Sequence, residues 1–171
     1  MSNSAGTQSS ADVLPVEQYV AGLARKRMAA GVLYRDHVDR VLLVEPSYKP
    51  NWEIPGGSVE QDEAPWATAK REVAEELGWD RRVGRLLVVD YVRPQDSRPE
   101  GVVFVFDGGV ITDADLRGIV LARTELRSAG LYTLPQVRGK VKPLLFDRLV
   151  AALDAASSGE TAICEQGRRL T

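Results

Sequence analysis

The sequence predicts an α+β fold in which a mixed β-sheet lies between helices. Runs rich in β-branched and aliphatic residues recur along the chain, and two stretches, near 63–77 and 141–156, carry the apolar spacing of amphipathic helices. With 171 residues, 44% hydrophobic and 27% charged, the chain can bury one core, and no internal repeat or linker divides it.

Residues 1–13 are Ser-rich and aperiodic, which predicts a disordered tail before one domain spanning 14–171. Pro15–Arg25 places Val16, Tyr19, Val20 and Leu23 on one face of a short helix. Arg27–Tyr34 and Arg40–Val44 read as a strand pair, split by the polar turn Asp36–Asp39. Residues 46–51 form a loop, Trp52–Ile54 a short strand, and Pro55-Gly56-Gly57 a corner. Glycine there lets the backbone approach a ligand closely. A helix follows from Glu63 to Leu77, with Asp62 as N-cap, Pro65 in its first turn and Gly78 as C-cap. Trp66, Ala69, Val73 and Leu77 form its apolar stripe. Arg82–Val92 and Val102–Val110 read as strands around the Pro-rich loop 93–101. Gly118–Ala122 reads as another strand, Val141–Ala156 as the second long helix, and Thr161–Glu165 as a last short strand.

The formal net charge is −2 and the pI about 5.5, so no basic field points to polymeric nucleic acid as a partner. A small anionic substrate remains compatible, because a bound metal supplies local positive charge. Cys164 is alone, which excludes an intrachain disulfide and suits a reducing cytoplasm. The first residues lack the order of a secretory signal, and no apolar run approaches bilayer length, so no membrane partner is expected. His37 is the sole histidine and sits in the polar turn. Histidine-rich zinc sites and Ser–His or Cys–His nucleophile systems are thereby disfavoured. The chemistry is expected to run on carboxylates and metal.

The acids for it are clustered. Glu63 and Arg71 precede Glu72, Glu75 and Glu76, which stand at i, i+3 and i+4 and share one helix face. Three like charges so close repel unless something neutralises them, and a hard divalent cation with oxygen ligands does so. Mg²⁺ is the expected ion, with Mn²⁺ as the alternative.

From Gly57 through Glu63, Arg71, Glu72, Glu75, Glu76 and Gly78 the chain resembles the Nudix box, with Trp79 at a closing position that is usually aliphatic. The resemblance implies a Nudix-like α/β/α sandwich and a hydrolase that splits nucleoside diphosphates linked to another group. It implies Glu75 and Glu76 as metal ligands, the Gly56 carbonyl as a further one, and Glu72 as either a third ligand or the base that activates water. Arg71 joins Glu72 and Glu76 in the catalytic set, pairing with Glu63 to hold loop and helix in register. Glu53, Gly57 and Arg98 are assigned to the substrate, with Tyr48 and Lys49 in nearby loops, and Glu125 lies where some members carry an extra acid. The resemblance implies an ADP-ribose-like or nucleotide-sugar-like substrate, and Pro94, fifteen residues beyond Trp79, stands where a proline in the family accompanies ADP-ribose hydrolysis. A nucleoside triphosphate of the oxidised dGTP kind is the competitor. A non-catalytic nucleotide sensor is disfavoured because no acid of the box is missing. Isomerisation of an isopentenyl diphosphate is disfavoured because only Cys164 and His37 are on hand. A homodimer is expected by analogy alone.

Overall fold

A computed structural model describes residues 14–95 and 98–170; the tail expected at 1–13 lies outside the described residues. Asp36 organises the first turn by accepting from the N–H groups of Val38 and Arg40 and from Arg40 Nε. Asp39 takes the left-handed conformation that closes it, and His37 is exposed. The turn joins β1 (Arg27–Arg35) to β2 (Val41–Pro46), but their ladder contains only Arg35 and Val41. Beyond that point the two part, and β1 takes the parallel strand β5 (Gly101–Val110) as neighbour along its whole length.

On the side vacated by β2, β1 pairs with β3 (Gly56–Ser58) through Ala29, Ala30 and Gly31. The strand expected at Trp52–Ile54 is reduced to one bridge between Glu53 and Val44, and the glycine corner itself supplies the strand. Gly56 permits this. It sits at φ 147° so close to β1 that a Cβ would fall 2.3 Å from the Ala30 carbonyl oxygen.

Helix α2 (Pro65–Leu77) starts two residues later than expected, with Ala64 and not Asp62 as its N-cap. Asp62 takes a left-handed turn conformation, and Glu63 turns back to bind Thr68 and Arg71. Ala69, Val73 and Leu77 are fully buried, whereas Trp66 is 65% exposed, one turn too early to reach the core. Gly78 ends the helix at φ 69°. Trp79 is buried edge-on against Tyr34, ring centroids 5.2 Å apart, with the Arg81 guanidinium 4.2 Å from its own ring.

The next strand, β4 (Leu86–Val92), is shorter than its apolar run and antiparallel to β5. The strand expected at Gly118–Ala122 is absent. Its Val120 and Ala122 amides donate to the Leu77 and Glu76 carbonyls, closing the end of α2. The short helix α3 (Asp113–Arg117), with a Thr112–Asp115 capping box, precedes this segment. The strand comes afterwards, as β6 (Leu126–Tyr132) paired antiparallel with β2.

Helices α4 (Leu134–Lys140) and α5 (Pro143–Ser158) follow, then β7 (Ala162–Glu165) and β8 (Arg168–Arg169). The sheet runs β6-β2-β1-β5-β4-β7-β8, with β3 beside β1. Ala30, Val32 and Tyr34 pack with Ala69, Val73 and Leu77 of α2, while Leu33, Val88 and Val105 pack with Leu145, Leu149 and Ala152 of α5. The result is a mixed sheet between helical layers. Helix α1 (Val16–Ala21) is shorter than expected and buries no residue.

One buried ion pair joins the C-terminal elements to the sheet. Asp90 on β4 is fully buried; its Oδ2 accepts from Arg148 Nε at 2.8 Å and Nη2 at 2.5 Å, and its Oδ1 from the Gly167 amide at 2.9 Å. Gln166 and Gly167, both at positive φ, form the two-residue turn between β7 and β8 that brings this amide into place. Asp90→Ala should therefore lose roughly 3–5 kcal/mol of stability in urea unfolding, because it strands a buried guanidinium. The double variant Asp90→Leu/Arg148→Met should lose less, since no charge is left unpaired.

Candidate functional site

Helical spacing sets Glu72, Glu75 and Glu76 on one face of α2, with Glu76 bordering the buried stripe of Val73 and Leu77. Glu76 lies deepest, at 8% exposed, and its Oε2 accepts from the Gly56 amide at 3.0 Å. Burial pushes its carboxyl up to about 8; the field of Glu72 and Glu125 adds to this, while the Gly56 N–H and Lys49 oppose it. Glu72 is partly buried and also raised, by burial first and then by Glu75 and Glu125 against the pull of Arg71. Gly57 makes room for it: a Cβ there would fall 2.2 Å from Glu72 Oε1.

Arg71 gathers the remaining acids. Its Nε and Nη2 meet the two oxygens of Glu63 at 2.9 and 3.0 Å, a bidentate pair. Nη1 serves Glu72 at 2.9 Å and Glu75 at 3.1 Å, and Nη2 also reaches the Ser58 carbonyl at 3.4 Å. The Arg71 bond, followed by the Thr68 hydroxyl, holds Glu63 down to about 2. Arg71 thus ties the loop, the glycine corner and α2 into one unit.

The three glutamates do not converge. Among the described residues no group of three or more His, Cys, Asp or Glu side chains is spaced to hold an ion. Two carboxylates turn to Arg71 and the third to the Gly56 amide; the Gly56 contact seen is through its N–H. Their chemistry nevertheless suits a hard divalent cation. All are oxygen donors, and Glu76 is a buried acid that makes no ion pair among the described residues. Glu72, Glu75 and Glu76 are the residues that would hold such an ion.

A cavity of about 410 Å³ opens in front of the corner. Ala29 and Gly31 of β1 and Val103 of β5 line it, with Gly56, Gly57 and Glu76 beside them. Glu53 also lines it, paired with Lys49 at 2.8 Å, as does Arg98. Arg71, Glu72, Glu75 and Glu125 stand outside its wall; Glu125 is exposed and acts on Glu72 and Glu76 through its field. Sequence reasoning missed Arg27, Lys142 and Arg148, which also line the cavity. No local pattern marks them, apart from Pro143, which signals that Lys142 stands at a helix start.

A protein-family model described as the NUDIX domain matches residues 25–149. The chain belongs to the Nudix family. The mouse diphosphoinositol polyphosphate phosphohydrolase 3-alpha is 43% identical over 82 residues, 47% of this chain and 49% of that protein. The human 3-alpha protein is 42% identical over the same length. The chain therefore spans about half the length of the curated relatives it matches. Among solved structures, the MutT protein of Methanosarcina mazei Go1 superposes with a TM-score of 0.60 at 21% identity, covering 82% of this chain and 100% of that one. An ADP-ribose pyrophosphatase of Streptococcus suis gives 0.57 at 19%, covering 82% and 99%. At these identities the likeness shows the Nudix fold. Among the described residues no helix is long and apolar enough to cross a membrane.

The buried Glu76 carries a signature of its own. Its folded pKa lies above the unfolded value near 4.5, so the metal-free Nudix protein binds more protons folded than unfolded between about pH 4.5 and 8. Stability is then lost as pH rises through that window. Glu76→Gln should flatten this decline in thermal melts with chelator present, and at pH 8 the metal-free variant should melt above the wild type.

Proposed function

We propose that this Nudix-family protein is a hydrolase that cleaves, with Mg²⁺, a diphosphate linkage in a small nucleoside diphosphate-type substrate. The observation that carries the reading is the buried Glu76 carboxylate, facing the cavity and bonded to the Gly56 amide beside Glu72. Water adds to one phosphorus, the bridging P–O bond breaks, and the two products leave as phosphates, so the protein must steady charge and remove one proton. A bound Mg²⁺ neutralises phosphate oxygens and acidifies water.

The chain's own residues divide the rest. Glu72, Glu75 and Glu76 hold the ion, or Glu72 takes the proton from water; a carboxyl raised by burial is a stronger base than one in solvent. Arg71 keeps Glu72 and Glu75 oriented through Nη1 while anchored on Glu63. Gly56 and Gly57 keep the corner open to the substrate, and Lys49 and Arg98 offer positive charge to it. Glu125 adds negative field from outside the wall. The names of the relatives span diphosphoinositol polyphosphates and ADP-ribose, whose shared element is a diphosphate link.

Purified protein should release phosphorylated products from members of a nucleotide and diphosphate panel only when Mg²⁺ or Mn²⁺ is added. Glu72→Gln should lower kcat by about 10²–10⁴-fold with the melting curve retained. Full turnover in chelator, or an undiminished variant, would sink the assignment.

A further inference from the structure

The loop between β4 and β5 carries two cavity-lining residues, Gln95 and Arg98, which exchange backbone hydrogen bonds at 3.1 and 2.8 Å. Its far stem is tied to the start of β1. Glu100 accepts from Lys26 and from the Tyr91 hydroxyl, and the Pro99 carbonyl accepts from Arg27 Nε at 2.8 Å. Its near stem is tied to the turn between β7 and β8, far away in sequence. The Arg93 amide donates to Gln166 Oε1 at 3.0 Å, and Arg93 Nε meets Glu165 Oε1 at 2.6 Å. The Gln166 amide in turn donates to the Tyr91 carbonyl at 2.9 Å.

Gln166 makes these contacts from a backbone conformation that glutamine rarely adopts. Among the described residues, three non-glycine residues have positive φ. Two are Asp39 and Asp62, whose short side chains suit the left-handed region; the third is Gln166 at φ 54°. Glycine or asparagine is the ordinary choice at such a turn position. Neither could replace this contact, since glycine has no side chain and asparagine is one methylene shorter. Local strain persists where the surroundings over-determine it, and here they include the bond to the loop stem. The next residue, Gly167, donates to Asp90, which holds Arg148. Two consecutive turn residues thus make three hydrogen bonds into residues 90–93. The cavity wall adjoins that stretch through Val92, Gln95 and, by way of Asp90, Arg148.

We infer that Gln166 is a positioning residue for the cavity: its side-chain oxygen fixes the Arg93 amide and, through that stem, the places of Gln95 and Arg98 in the wall. The inference rests on the proposed function in taking this cavity as the substrate site. Gln166 does not line the wall, so it acts through the loop and touches no substrate. The acidic helix lies outside this network, so the effect falls on substrate binding and spares the chemical step.

Two substitutions in the full chain decide it. Gln166→Asn keeps a residue suited to the left-handed turn but falls short of Arg93, whereas Gln166→Glu keeps both length and acceptor. In metal-free protein, hydrogen exchange at the Gln95 and Arg98 amides should quicken about tenfold in Gln166→Asn and stay near wild type in Gln166→Glu. With Mg²⁺, KM is read on ADP-ribose and on a diphosphoinositol pentakisphosphate, and on the panel member cleaved fastest where the wild type cleaves neither. It should rise about three- to tenfold in Gln166→Asn with kcat held within about twofold, and Gln166→Glu should restore it. A loss of folded protein alone would lower kcat and leave KM in place. Exchange or KM unmoved in Gln166→Asn, a fall in kcat alone, or a Gln166→Glu variant as impaired as Gln166→Asn overturns the inference and leaves the hydrolase reading standing. A wild type that cleaves nothing in the panel with metal sinks that reading, and the positioning role falls with it.

Discussion

A carboxylate is buried on α2 where water cannot reach most of it, and among the described residues the Gly56 amide is its one hydrogen-bonded neighbour. That contact links the acidic helix to the glycine corner, and much of the site is arranged around it. The corner can lie there because β2 leaves β1 after a single paired position, freeing the edge that β3 occupies. Gly56 comes within a distance of Ala30 that no side chain would permit, and Gly57 leaves Glu72 space to rest. Sheet topology, two glycines and one acid therefore act as a single constraint. In isolation the arrangement is unfavourable, since burial opposes charge on Glu76. Tension of this kind is expected where binding energy from a ligand or ion is to be released, and the architecture retains it at a stability cost.

Arg71 supplies the opposing influence. By drawing Glu63, Glu72 and Glu75 onto one guanidinium, it relieves repulsion among acids of the preceding loop and the C-terminal half of the helix. Its own fork geometry suits the task, which lysine could not reproduce with a single ammonium. The same grip explains why the acids stand apart: two of them are already engaged.

Much of this was legible in the chain. The stripe of Ala69, Val73 and Leu77, the stop at Gly78 and the long C-terminal helix follow from spacing and turn chemistry alone, and the Nudix resemblance rested on residues that can be counted. Other features depend on distant partners. The run at 118–122 looks like a strand because it is apolar, yet its amides are used to finish α2. The true strand, Leu126–Tyr132, contains Arg, Ser and Gly, as suits a half-covered edge beside β2. Trp66 has the right period but lies beyond the end of the core. Arg27 on β1 and the pair Lys142 and Arg148 at the start of α5 line one cavity only once the fold brings those distant elements together, so no window of sequence could have joined all three.

The segment shared with the family ends at residue 149, but the covalent chain that keeps the pocket floor in place does not. Arg148 is steadied by Asp90, and Asp90 is steadied in turn by an amide at position 167, delivered by the hairpin of β7 and β8. A fragment trimmed to the common Nudix boundary would keep every acid of the box and still lose the strut beneath its binding surface. For this molecule the smallest unit that keeps Arg148 and the cavity wall fully braced is larger than the smallest unit that carries the motif.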